Sequence, residues 1–210
     1  MSTLPNLATT EVAPRILSDE LVADLQRLQK AAQKITSILD LDQLIDSVVE
    51  EVTGPPFGCL EASIYLHDEL RSEMVLAGVR GCELHSKGHR LKVGQEGMIG
   101  HVAATGQLRY APDVRKDPYY ISCGHATLSE VAIPLRVGPR VVGVFTASHP
   151  DLDAFPRQQV RILQAFCDHV AVAVDNAQRL KAERAERVAL DRDADEARVI
   201  QQALLPKSSP

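Results

Sequence analysis

The chain has 210 residues, 45% of them hydrophobic and 24% charged, which suits one core with helical extensions better than two full domains. Aromatic residues make up 4% with no Trp, so a surface that stacks bases or sugars is disfavoured. A formal net charge of −5 argues against nucleic-acid or anionic-membrane partners, because both need a basic face.

The four cysteines (Cys59, Cys82, Cys123 and Cys167) are widely spaced and form no C-x-x-C pair, the pattern of reduced thiols. The first twenty residues lack a basic start followed by an apolar run, and no stretch holds the ~20 apolar residues that span a bilayer. The expected location is the cytoplasm.

In chain order, residues 1–17 contain two prolines and many small polar residues and read as a flexible leader. Ser18 can cap a helix over 18–40, in which Leu21, Leu25, Leu28, Ala32, Ile35 and Leu39 alternate spacings of four and three. Leu41 and Asp42 interrupt that seam. A second amphipathic segment carries Leu44, Ile45, Val48, Val49 and Val52 and stops at Gly54-Pro55-Pro56. Strand signals follow in the alternation of Ala62, Ile64 and Leu66 with Ser63 and Tyr65, and again at residues 74–76. Residues 78–90 read as a long loop, 97–104 as a short helix ended by Gly106, and 108–111 as a strand. The clearest hairpin joins the alternation of Val131, Ile133, Leu135 and Val137 to residues 141–147 through Gly138-Pro139. Pro134 marks the first of these strands as an edge or a local bend. Phe155-Pro156 opens a long helix whose repeat runs through Val160, Leu163, Cys167, Val170, Val174 and Ala177 to Leu180. Residues 181–198 then become a charge-rich helical stretch.

Antiparallel strands with helices on one side is an α+β arrangement. Each fully buried Leu or Ile stabilises by roughly 1.5–3 kcal/mol, so the two flanking seams, over 21–39 and 160–180, point to coiled-coil-like pairing in a homodimer.

Several motifs resemble one family. The step from Gly94 through Gly97 and Gly100 to Ala103 resembles the G-x-G-x-x-G-x-v-a step of GAF domains. The pair Val131-Ala132-Ile133-Pro134-Leu135 and Val141-Val142-Gly143-Val144 resembles their l-a-v-P-l … i-G-v hairpin, and Ala173-Val174-Asp175-Asn176-Ala177 resembles the end of their closing helix. The resemblance covers 41–178. It implies a sheet of about six antiparallel strands, a small-molecule pocket on one face, and dimerisation through the flanking helices. A second resemblance lies in residues 197–206 (ARVIQQALLP), which are similar to the opening helix of bacterial stress-response serine phosphatases of the type 2C superfamily. It implies that 179–206 is a signalling helix leading to an output domain whose acidic metal ligands lie beyond Pro210, so that this chain regulates without catalysing.

For the pocket, the cluster on the irregular segment and the next strand supplies Tyr110, Tyr119, Cys123, His125, Ser129 and Glu130 as ligand contacts. The segment around Cys123, with Ser129-Glu130 in register, also resembles free methionine sulfoxide reductases, themselves GAF proteins, which makes an enzyme acting through Cys123 the alternative. That family's acidic pair is replaced here by Thr146 and Ser148, and no resolving thiol is in register. The spacing of Cys82, His85 and His89 resembles half of a zinc site, and a polar loop explains it as well. The sequence assigns no metal and names no cofactor.

Overall fold

The computed structural model describes residues 19–54, 57, 59–82, 84–122 and 126–204. The expected leader lies outside these residues. Two helices come first, α1 (Asp19–Thr36) and α2 (Leu41–Thr53). Asp40 divides them. Its backbone is extended, and its side chain accepts from the Gln43 amide at 2.9 Å, capping α2. The α2 residues Leu44, Ile45, Val48, Val49 and Val52 are all buried, as their 3.6-residue spacing requires.

Six strands build one antiparallel sheet: β1 (Glu61–Asp68), β2 (Glu73–Arg80), β3 (Arg90–Lys92), β4 (Arg109–Ala111), β5 (Ser129–Val137) and β6 (Arg140–His149). Their order is β3-β2-β1-β6-β5-β4. A short helix, α3 (Gly97–Thr105), lies between β3 and β4, and α4 (Arg157–Leu204) closes the chain. β3 was not legible as a strand, because three residues offer too little alternation to distinguish them from loop. Pro134 is tolerated because β4 pairs only with residues 130–132 of β5, so Pro134, opposite Val144 of β6, has no strand on its other side that needs its missing N–H.

Alternation gives the sheet two unlike faces. Ala62, Ile64, Val131, Ile133, Phe145 and Ala147 form one core with α1, α2 and α4. That is the helix layer expected on one side. On the opposite face α3 packs over Tyr65, Ala132 and Val144 with Met98 and Val102. The glycine step explains how α3 sits there. Gly97 has φ of +71°, and a Cβ on Gly100 would meet the Lys92 carbonyl at 2.5 Å. The motif is therefore a packing device that lets a helix lie tightly on β3.

Leu21 and Leu25 fall where side chains lie outside the described residues. Further along α1, Ala31, Ala32 and Ile35 are buried and Leu28 packs half-buried, with α4 of the same chain against them. This part of the seam is covered internally, while Leu39 is 59% exposed. α4 changes character midway: a buried stripe runs to Ala177, and every residue from 181 to 198 is exposed. No helix of the described residues is long and apolar enough to cross a membrane.

Candidate functional site

On the α3 face, the strand register lines up polar residues in rows. Glu61 of β1 pairs with Ser148 of β6, and Ser148 pairs with Glu130 of β5. One step along, Ser63 pairs with Thr146, and their hydroxyls are 2.6 Å apart. Adjacent strands lie about 4.8 Å apart, so the two Glu Cα atoms flank Ser148 on either side. These rows floor a cavity of about 160 Å³. Tyr65, Leu91, Met98 and Ile99 supply its apolar wall, His85 and His89 close one side, and Tyr120 and Ile121 close another.

The electrostatics follow from this enclosure. Burial pushes the Glu130 carboxyl up to about 8, and the Glu61 and Asp117 carboxylates add to the shift. Glu130 is therefore mostly protonated at neutral pH. Burial lowers His85 as well, His89 lowers it further, and the Glu61 charge opposes both. The His85 and His89 ring centroids are 4.2 Å apart. The Nδ1 of His89 is shielded from solvent and has no hydrogen-bond partner among the described residues. Polar groups in such a position cost stability unless something satisfies them. No Lys or Arg is among the described residues that line the cavity.

The thiols divide by depth. Burial pushes Cys59 up to about 12, and burial, together with the Asp168 charge and Cys59, raises Cys167 well above its ordinary value. Neither supplies thiolate at neutral pH. Cys82 is half-buried. No group of three or more His, Cys, Asp or Glu side chains is placed to hold a metal among the described residues.

Residues 38–175 match the GAF domain family. The chain belongs to that family. Protein YtsP of Bacillus subtilis is 27% identical over 113 residues, 54% of this chain and 67% of that protein. Among solved structures, the GAF domain of a phosphoenolpyruvate-protein phosphotransferase from Coxiella burnetii superposes with a TM-score of 0.70 at 21% identity, covering 77% of this chain and 98% of that one. The free methionine-R-sulfoxide reductase of Neisseria meningitidis, solved with its substrate, gives 0.68 at 22% identity over 79% and 96%. At these identities the likeness is one of fold.

Within this GAF domain, the residues singled out from sequence separate. Glu130 lines the cavity. Its neighbour Ser129 points to the other face, where its hydroxyl donates to the Asp151 carbonyl at 2.8 Å and accepts from the Ala154 amide at 3.3 Å. Tyr110 also faces away: its hydroxyl donates to Asp153 at 2.8 Å and accepts from the Phe155 amide at 3.3 Å. Both residues hold the connection from β6 to α4. Tyr119 stacks on His101 at 3.9 Å with Arg109 over its ring at 4.5 Å, and it is not among the lining residues. Cys123 and His125 lie outside the described residues. The cavity also draws on Glu61, Ser63, His85, His89, Thr146 and Ser148, which were not among the ligand contacts read from sequence. The signal for four of these was present in the strands, since Glu61, Ser63, Thr146 and Ser148 are polar residues alternating with the core positions Ala62, Ile64, Phe145 and Ala147.

Proposed function

We propose that this GAF domain is the sensing part of a dimeric, cytoplasmic signalling protein. A small molecule enters the cavity, changes how α4 is set, and α4 carries the change to a C-terminal output domain. Continuity carries this reading. Glu130 and Ser148 on the cavity floor each have a neighbour, Ser129 and His149, at the sheet end next to the connection over 150–156. That connection is bonded to Ser129 and Tyr110 and leads into α4, whose 48 residues extend roughly 70 Å at 1.5 Å per residue. A ligand moves this helix only by binding one setting better than the other.

The output is a type 2C-like serine phosphatase in this reading, on the likeness of residues 197–206 to the opening helix of those enzymes. Val188 and Leu190 are 68% and 62% exposed on a stretch whose residues 181–198 are all exposed among the described residues. Such helices are marginal alone, so α4 pairs with its copy and the outer side of α1 lies beside it. Sedimentation of the full chain at micromolar concentration tests the pairing: a dimer is expected, and a stable monomer removes the shared stalk.

The alternative, free methionine sulfoxide reduction through Cys123, is favoured by one observation. Glu130, part of the reductase-like Ser-Glu pair, does line the cavity. Incubating the chain with free methionine sulfoxide and dithiothreitol decides between them. Turnover lost in Cys123→Ser would establish the enzyme, and no turnover removes it.

A further inference from the structure

We infer that the cavity is built for the ammonium group of a small organic amine, held between Glu61 and Glu130 over Ser148, with His89 Nδ1 as a further acceptor. The inference deepens the sensor reading and rests on it for the cavity being a ligand site.

Three observations converge. First, the register fixes two carboxyl side chains in one row on one face, separated by a single strand whose residue is the small Ser148. Second, the buried His89 Nδ1 lacks a partner among the described residues, and in the tautomer protonated at Nε2 it accepts a hydrogen bond from an N–H donor. Third, the described lining is rich in carboxyl and hydroxyl oxygens and contains no Lys or Arg. A phosphate or carboxylate ligand would face the Glu61 charge with no Lys or Arg among the described lining residues. A cation meets the reverse. A bare metal ion fits poorly, because no three ligating side chains are grouped for one among the described residues. The apolar wall of Tyr65, Met98 and Ile99 requires a hydrocarbon portion next to the charge.

Binding moves a proton. The Glu130 carboxyl, held largely neutral by burial, ionises beside the ammonium, and its proton leaves to the buffer. The charged and titratable groups that line the cavity with Glu130 or act on it, among the described residues, are Glu61 and Tyr65 from β1, Asp117 and Tyr120 from the segment after β4, and His85 and His89 from the loop before β3. Asp117 is paired with Arg109 at 2.8 Å and is not among the lining residues, whereas Glu130 and Glu61 both line the cavity.

Three probes of one size isolate the charge: n-butylammonium, butyrate and n-butanol, each titrated into the full chain at neutral pH. The readouts are amide NMR shifts and, in two buffers of different ionisation enthalpy, calorimetric proton release. n-Butylammonium should shift the amides of Glu61, Glu130 and Ser148 and release about one proton per ligand. Glu130→Gln, an isostere of the protonated acid, should keep the fold, abolish the release and weaken binding at least tenfold. Glu61→Gln should weaken binding while leaving Glu130 able to release. Equal shifts from butyrate or butanol, or unchanged affinity in Glu130→Gln, would overturn the ammonium site and leave the cavity as a ligand site. Cavity amides that answer to none of the three probes would overturn the sensor reading along with it.

Discussion

The two faces of the sheet come from the same strands and are put to opposite uses. Ala62, Ile64, Phe145 and Ala147 face the helices and are at most 1% exposed, whereas Glu61, Ser63, Thr146 and Ser148, one residue out of step, floor the cavity. One face gains its stability from close packing. The other carries carboxyls and hydroxyls that a hydrophobic core would exclude, and α3 roofs it without filling it. In a strand of period two, a one-residue offset separates the part that folds the protein from the part that can bind.

The largest effect should come from breaking the packed face. Phe166, fully buried with its ring 5.6 Å from that of Phe57, should cost about 3–5 kcal/mol when changed to Ala, measured by urea denaturation. The cavity face should respond in the opposite sense. Glu130 sits near 8 in the folded protein against an ordinary value of 4.5, so the native state holds a proton that the unfolded chain has released. The slope of stability against pH is then negative between those values. Wild-type stability should fall as pH rises from 4.5 towards 8, and Glu130→Gln should flatten that part of the curve. One pKa unit is worth about 1.4 kcal/mol, and water at the cavity mouth reduces the total, so the variant should be the more stable at pH 8 by about 2 kcal/mol. Melting curves at pH 5 and pH 8 check it.

Smaller effects sharpen the link to α4. Asp175, 5% exposed, accepts from Arg179 Nε at 2.9 Å and is bonded to Arg140 at the turn between β5 and β6. Asp175→Asn should cost about 1.5 kcal/mol, less at high salt because both arginines reach solvent. Denaturation at two ionic strengths reads this. Leu190→Asp should change the stability of a single chain by less than about 0.5 kcal/mol, while weakening the dimer in sedimentation.

Much of this fold was legible because it follows from periodicity. The hairpin of β5 and β6, the α2 stripe and the closing helix each repeat a pattern long enough to read. The cavity was less legible. Ser129 and Glu130 are adjacent in sequence, yet adjacent strand residues face opposite ways, so Ser129 braces the connection to α4 while Glu130 enters the cavity. Tyr110, on the neighbouring strand β4, braces the same connection. The partners of Glu130 come from β1 and from the loop before β3, dozens of residues away, and only strand register brings them together. The cover of Ala31 and Ile35 on α1 comes from α4, more than a hundred residues downstream, a contact that the α1 repeat alone does not reveal.

The most direct test of a cavity that reports through α4 uses thiols placed on the exposed helix. Cys59 and Cys167 are buried and stay protonated, so replacing Cys82 and Cys123 by Ser leaves a quiet background for Ala185→Cys and Val188→Cys. Disulfide formation between copies is then timed with n-butylammonium and with n-butanol. The account predicts cross-links between chains whose relative rates at the two positions change with the amine and not with the alcohol. Cross-links that never form, or that form at the same rates whatever occupies the cavity, would contradict it.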